Sequence, residues 1–135
     1  MKKTGYNTEN LGQLPWFNWG LDVSGAKDFF FVTGTCDYNH KGVIKNPNDP
    51  IGQTKQILAY MEEVFSQAGY TKQDIVAINW CVTKDVNPAQ TRAILKVWED
   101  YIDDLEVKPS GGTWKYIHAL IDPGMMVELE LILAR

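Results

Sequence analysis

Asp74-Ile75-Val76-Ala77-Ile78-Asn79-Trp80-Cys81-Val82-Thr83 lies just past the middle of a 135-residue chain. Apolar side chains occupy its odd and even positions alike, with only Asn79 breaking the run. Its β-branched and aromatic composition reads as a strand. A strand that is apolar on both faces belongs at the centre of a sheet and is covered twice. The flanking segments read as helices. Upstream, Asp49-Pro50 offers an N-cap followed by a first-turn proline. Ile57, Leu58, Met61, Val64, Phe65 and Ala68 then recur at helical spacing, and Gly69 supplies a left-handed C-terminal cap. Downstream, Asn87-Pro88 opens a second helix, with Gln90 completing a capping box. Ile94, Leu95, Trp98, Tyr101, Ile102 and Leu105 form its apolar stripe, and Pro109-Ser110-Gly111-Gly112 breaks the chain after it.

The ends read as β structure. Thr113 to Leu120 and Met125 to Leu133 look like two strands joined by a tight turn at Pro123-Gly124. In the second of these, Met126, Glu128 and Glu130 share one face and Val127, Leu129, Leu131 and Leu133 the other. A carboxylate pair on such a strand must face water, a partner or a ligand, because burying a bare charge is expensive. Near the start, residues 16–23 and Asp28-Phe29-Phe30-Phe31-Val32-Thr33 form a first hairpin across Ser24-Gly25-Ala26-Lys27. Residues 1–15 are polar and hold Gly5, Gly12 and Pro15, so they read as a flexible arm. Residues 35–48 read as a loop. Two helices cannot cover both faces of a sheet with this many strands, so they are expected on one face, in an α+β layer pair. The other face, which carries Glu128 and Glu130, is too apolar to be left in water and is expected to meet another subunit.

Composition bounds the function. The chain is 44% hydrophobic and 12% aromatic, enough for a real core. A net charge of −4, with no run of basic residues longer than Lys2-Lys3, speaks against nucleic acid as a partner. No apolar stretch of about 18 residues suggests a membrane span. The basic pair at the start has no apolar segment behind it, so it does not read as a signal peptide. Cys36 and Cys81, without metal-ligand spacing, point to a reduced, cytoplasmic setting.

Taken together, Phe31-Val32-Thr33-Gly34, Phe65-Ser66-Gln67-Ala68-Gly69, the strand from Ile75 to Val82 with Lys84-Asp85-Val86-Asn87, and Val127-Glu128-Leu129-Glu130 resemble the Rid family. These are the YjgF-type reactive-intermediate deaminases, and the likeness spans roughly residues 16–134. The resemblance implies a single chorismate-mutase-like (YjgF-like) α+β domain over residues 16–135. In it a mixed sheet carries two helices on one face, and a homotrimer places clefts between subunits. It also implies hydrolysis of imines or enamines to ketones and ammonia, a small-molecule substrate and no cofactor. Typical members carry an Arg at the start of the penultimate strand that clamps the substrate carboxylate. This chain has Thr113 there, with Lys115 two residues later.

The resemblance makes Glu128 the water-positioning, catalytic residue, the alternative being an inter-subunit salt bridge. Glu130 reads as structural. Thr33 and Gly34 match a hydroxyl and a backbone N–H at the cleft, against the plainer reading of a strand end with a glycine kink. Cys36 follows closely and either lines the same pocket or is an inert small residue. If Pro123-Gly124 is a two-residue turn, Thr113 and Lys115 share the face of Glu128. Lys115 would then supply the missing positive charge as a point contact, or else it is a solvated lysine. Trp16, Phe17 and Trp19 read as an aromatic wall for the substrate or as packing. His118 falls on the opposite face, under a helix, and His40 lies in a polar loop; neither has a metal-ligand partner, so no metal is expected.

The first functional reading is therefore a divergent Rid-type hydrolase (deaminase). The alternative is a non-catalytic trimer that binds a small metabolite or a protein. Ribonuclease activity, which the resemblance also admits, fits poorly with the acidic charge.

Overall fold

The computed structural model describes residues 1–135. Both helices start where their caps dictate. Helix α1, Pro50–Ser66, has Asp49 accepting from the Gly52 N–H and Pro50 in its first turn. Gly69 closes it at φ 78, a left-handed conformation that costs glycine little. Helix α2, Pro88–Tyr101, begins with the expected reciprocal bonds between Asn87 and Gln90. The strands are β1 Lys2–Tyr6, β2 Gly20–Ser24, β3 Phe29–Thr35, β4 Ile75–Thr83, β5 Trp114–Ile117 and β6 Val127–Ala134, with a 3-10 turn at Lys72–Asp74 leading into β4.

Four strands form the main sheet in the order β3-β6-β4-β5. Strand β6 runs antiparallel to β3 and β4, whereas β5 runs parallel to β4. Both helices cover one face, as expected. Ile57, Met61 and Phe65 from α1 and Ile94 and Trp98 from α2 pack on Ile78, Trp80, Leu129 and Leu131, all buried. Strand β4 is central, but its second cover is missing within the chain. Ala77, Asn79 and Cys81 alternate with its buried positions and stay half-exposed.

Three expectations about pairing are corrected. The terminal strands are not a hairpin, because β4 lies between them. A strand apolar on both sides gains most from the central place, and the nine residues between Ile117 and Val127 are enough to carry the chain past its end. The first hairpin is also absent. Strand β2 pairs with β1, in register from Lys2 with Ser24 to Tyr6 with Gly20, while β3 pairs with β6. The chain changes sheets at the Gly25 turn, where the Lys27 and Asp28 N–H groups donate to the Arg135 carbonyl and so dock the connection on the end of β6. Finally, the arm over residues 1–15 contains β1. It is tied down further by the Lys3 ammonium on the Gln73 carbonyl and by Asn7, which bonds the Asn18 side chain and the Trp19 N–H. Its side chains are mostly exposed, so no apolar alternation announced the strand.

Candidate functional site

Register fixes which side chains share the face away from the helices. Glu128 of β6 is the partner of Cys81 of β4, and Cys81 is the partner of Lys115 of β5. Cross-strand partners point the same way, so all three stand on the helix-free face. Lys115 thus shares the face of Glu128, although the hairpin used to place it does not exist. Two strand spacings, about 10 Å, separate the Lys115 and Glu128 backbones. The Lys115 ammonium donates to the Thr113 carbonyl at 3.1 Å and forms no ion pair with Glu128.

On its other side Glu128 meets β3. The register of β3 against β6 shifts between Val32 and Thr35, a bulge that brings Gly34 against the Glu128 side chain. A Cβ at Gly34 would sit 2.9 Å from Glu128 Oε1 and 3.2 Å from its Cδ. Glycine here leaves room for the end of the Glu128 side chain, which an added methyl would push aside. Cys36 follows at the same strand end and is buried. Burial pushes its thiol up to about 12, and the nearby charges of Glu128 and Asp122 and a hydrogen bond to Glu128 add to the shift. A thiol held protonated is a poor nucleophile. It sits near the carboxylate as a small neutral group.

Thr33, Gly34 and Cys36 also line a cavity of about 460 Å³ that reaches Tyr38, His40 and Tyr60. Thr33 is exposed, and its carbonyl accepts from the Thr35 hydroxyl at 2.7 Å. Thr113 is exposed just before β5, and its carbonyl also accepts from the Trp80 N–H.

The aromatic trio does not join this group. Trp16 and Phe17 line a separate cavity with Trp80, Trp98 and Trp114, on the opposite face of the sheet. Trp80 alternates with Cys81 along β4, and that alternation is what parts the two sites. Trp19 is exposed, packs edge-on against Phe17, and donates its indole N–H to the Gly12 carbonyl at 2.6 Å. His118 is exposed rather than covered by a helix, because β5 ends at Ile117. No cluster of three His, Cys, Asp or Glu side chains is placed to hold a metal ion.

Three supporting residues were missed by sequence reasoning. Gln53 is fully buried and uses its whole amide. Its oxygen accepts from the Met126 and Val127 N–H groups at 2.8 and 3.3 Å, and its nitrogen donates to the Asn46 and Gly124 carbonyls at 2.9 and 2.8 Å. It therefore sets the start of β6, one residue before Glu128. Its signal was available: Gln53 lies in line with Ile57, Met61 and Phe65 at steps of four. Asp37, also buried, accepts from the Asn46 backbone and side chain at 2.8 Å and anchors the loop after Cys36. Thr83, on the face of Cys81, keeps a buried hydroxyl without a partner.

What this arrangement offers is a half-buried carboxylate flanked by a glycine backbone and a protonated thiol, on a sheet face that the helices leave open. Related proteins share the frame. The family model described as Endoribonuclease L-PSP matches residues 18–135. Among solved structures, a Rid-family protein of unknown function from Yersinia pestis, YyfB, is 23% identical over 100% of both chains, with a TM-score of 0.88. A second, YyfA, is 24% identical over 99% of this chain and 100% of its own, at a TM-score of 0.68. A member of the YjgF/YER057c/UK114 family from Mycobacterium tuberculosis is 19% identical over the same shares, at 0.63. At such identities the structural likeness speaks for the fold. The family match over residues 18–135 goes further: the chain belongs to the Endoribonuclease L-PSP family, the Rid or YjgF-type proteins.

Proposed function

We propose that the protein is a Rid-type hydrolase that deaminates an imine or enamine, with Glu128 positioning the attacking water. The observation that carries this reading is the Glu128 carboxylate, half-buried against Gly34 and Cys36 on the helix-free face. An imine needs little beyond a held water, a proton acceptor and a sheltered site. Glu128 accepts a proton from water as its oxygen bonds to the imine carbon. That proton, passed to nitrogen, completes the carbinolamine; Glu128 then takes the hydroxyl proton and delivers it to the same nitrogen, so the C–N bond breaks, ammonia leaves and the carbon is left as a ketone. An enamine enters the same route once its carbon is protonated.

We place the site in a cleft of a homotrimer. Phe31 is 71% and Phe29 56% exposed, and their partners Ile132 and Ala134 put them on the face of Glu128. Two large apolar side chains beside a carboxylate are better covered by a second copy than by water. Lys115 is the one cation of β5 on this face and is the anchor for a substrate carboxylate, as a point charge in place of an Arg fork. Two free thiols suit a reduced, cytoplasmic setting. A ribonuclease reading, which the name of the family model invites, has no basic groove to bind phosphates and a net charge of −4 against it. The alternative with an observation in its favour is a non-catalytic trimeric binder of a small metabolite, because Lys115 rests on the Thr113 carbonyl and no Arg replaces the clamp.

Ammonia release from 2-iminoacids, generated in place by an amino-acid oxidase, tests the proposal. The wild type should accelerate release and Glu128→Gln should not. If several imines show no acceleration, and Glu128→Gln alters no ligand's affinity, the hydrolase reading is wrong. A monomer at all concentrations in sedimentation would remove the cleft.

A further inference from the structure

The Glu128 carboxylate stands where two segments of the chain meet. On one side lie Gly34 and Cys36, at the end of β3. On the other is the start of β6, entered from the turn in which the Met125 N–H donates to the Asp122 carbonyl. The ladder between β3 and β6 holds this junction weakly. It is interrupted between Val32 and Thr35 and resumes for a single pair, Thr35 with Leu129. A run of buried polar groups ties the junction instead. Asp37, next to Cys36 and 1% exposed, accepts from the Asn46 backbone and side-chain N–H groups, both at 2.8 Å. The Asn46 carbonyl accepts from the Gln53 side chain at 2.9 Å. The Gln53 oxygen in turn accepts from the Met126 and Val127 N–H groups, which lead directly into Glu128, and its nitrogen also donates to the Gly124 carbonyl.

Packing does not ask for a glutamine at this place. Gln53 shares its stripe of α1 with Ile57, Met61 and Phe65, all apolar and fully buried. An apolar side chain would fit the same stripe, whereas a buried amide is unfavourable unless its polar atoms are bonded. The four bonds of Gln53 all go to backbone groups outside α1. Asn46 lies on the Cys36 side of the junction, and Gly124, Met126 and Val127 lie on the Glu128 side. One amide therefore sets the distance between the loop that follows Cys36 and the strand that carries Glu128. That distance matters for chemistry, because a misplacement of about 1 Å at a reacting group can lower a rate about 100-fold. We infer that Gln53 is a positioning residue for the Glu128 carboxylate, which it holds against Gly34 and Cys36 from the end of β6 rather than from either face of the sheet. The inference rests on the hydrolase reading for its kinetic consequence alone.

That consequence is slower turnover with binding intact. In Gln53→Leu, kcat for the 2-iminoacid generated in place from leucine should fall about tenfold per folded molecule, while KM stays within about twofold. Gln53→Glu is the conservative control. Its carboxyl, buried among carbonyls, stays protonated, so it accepts from the same two N–H groups and donates to one carbonyl. It should bring kcat back to within about threefold of the wild type. A second measurement needs no turnover and sees native molecules only: the amide signal of Gly34 in ¹⁵N spectra. Glu128→Gln should shift this signal in the wild type, and by about half as much or less in the Gln53→Leu background. Should Gln53→Leu fail to fold, Asn46→Ala removes the side-chain link to Asp37 and should shrink the Gly34 response in the same direction. If the wild type hydrolyses no imine and the response still shrinks, the hydrolase reading fails and the positioning stands. A Gly34 signal that ignores Glu128→Gln, or a response of equal size in both backgrounds, overturns the inference. So does a kcat that falls only in step with the folded fraction.

Discussion

The two faces of the main sheet differ in what their side chains do for the fold. On the helix face, Trp80, Trp98, Leu129 and Leu131 are all but sealed, and their neighbours are other apolar groups. On the open face, one residue away along the same strands, Asn79, Cys81, Glu128 and Glu130 are half-buried or exposed. Strand alternation alone makes this division, so adjacent residues have opposite duties. A substitution on the helix face should be felt in stability, whereas one on the open face should be felt in chemistry.

The largest expected effect is on the helix face. Trp98→Ala removes a ring that is 1% exposed, together with its bond to the Trp16 carbonyl. It should cost about 3–5 kcal/mol of stability, measured by urea unfolding; a cost no larger than that of a surface change would break the comparison. Next is Gln53→Leu, which strands the Met126 and Val127 N–H groups and two carbonyls. A loss of roughly 3 kcal/mol is expected from leaving buried backbone groups unpaired, with hydrogen exchange at the start of β6 speeding up more than exchange in α2.

Local and long-range signals differ in how much of this fold they carry. Both helices, with Asp49, Asn87, Gln90 and Gly69 at their ends, were readable because caps and periodicity are local signals. The strands β4 and β6 were readable for the same reason. Partnership was not. Nothing local in residues 113–133 reveals that β4 slips between two strands that look like a hairpin, or that β2 turns to β1 rather than β3. The shared face of Lys115 and Glu128 survived this error because parity passes unchanged through Cys81. Trp16 and Phe17 were open to two readings, a substrate wall or packing, because residue type alone does not say which face they join; in the fold they pack around Trp80, Trp98 and Trp114. The approach of Gly34 to Glu128 depends on a bulge, which no spacing rule exposes; it was expected only through the family resemblance.

Smaller effects sharpen the open face. Gly34→Ala drives a methyl toward Glu128 Oε1. Imine hydrolysis should fall about tenfold while stability shifts by about 1 kcal/mol or less, and equal losses in both would make Gly34 a purely structural residue. Alkylation of Cys36 should be very slow at pH 8, because burial first and then Glu128 hold its thiol near 12. The sign follows: a folded pKa above the thiol's usual 9.0 means that this group's contribution to stability is full below pH 9 and is lost between pH 9 and 12. Glu128→Gln removes one upward influence, so Cys36 should alkylate several-fold faster. An unchanged rate would show that the two groups do not interact in solution.

The most direct test joins the two faces in one variant. In Glu128→Gln the melting temperature should stay within about 2 °C of the wild type, and imine hydrolysis should fall about 100-fold, the usual contribution of a positioned proton acceptor. An unchanged rate, or a rate that falls only in step with the fraction of folded protein, would contradict the assignment of chemistry to the open face.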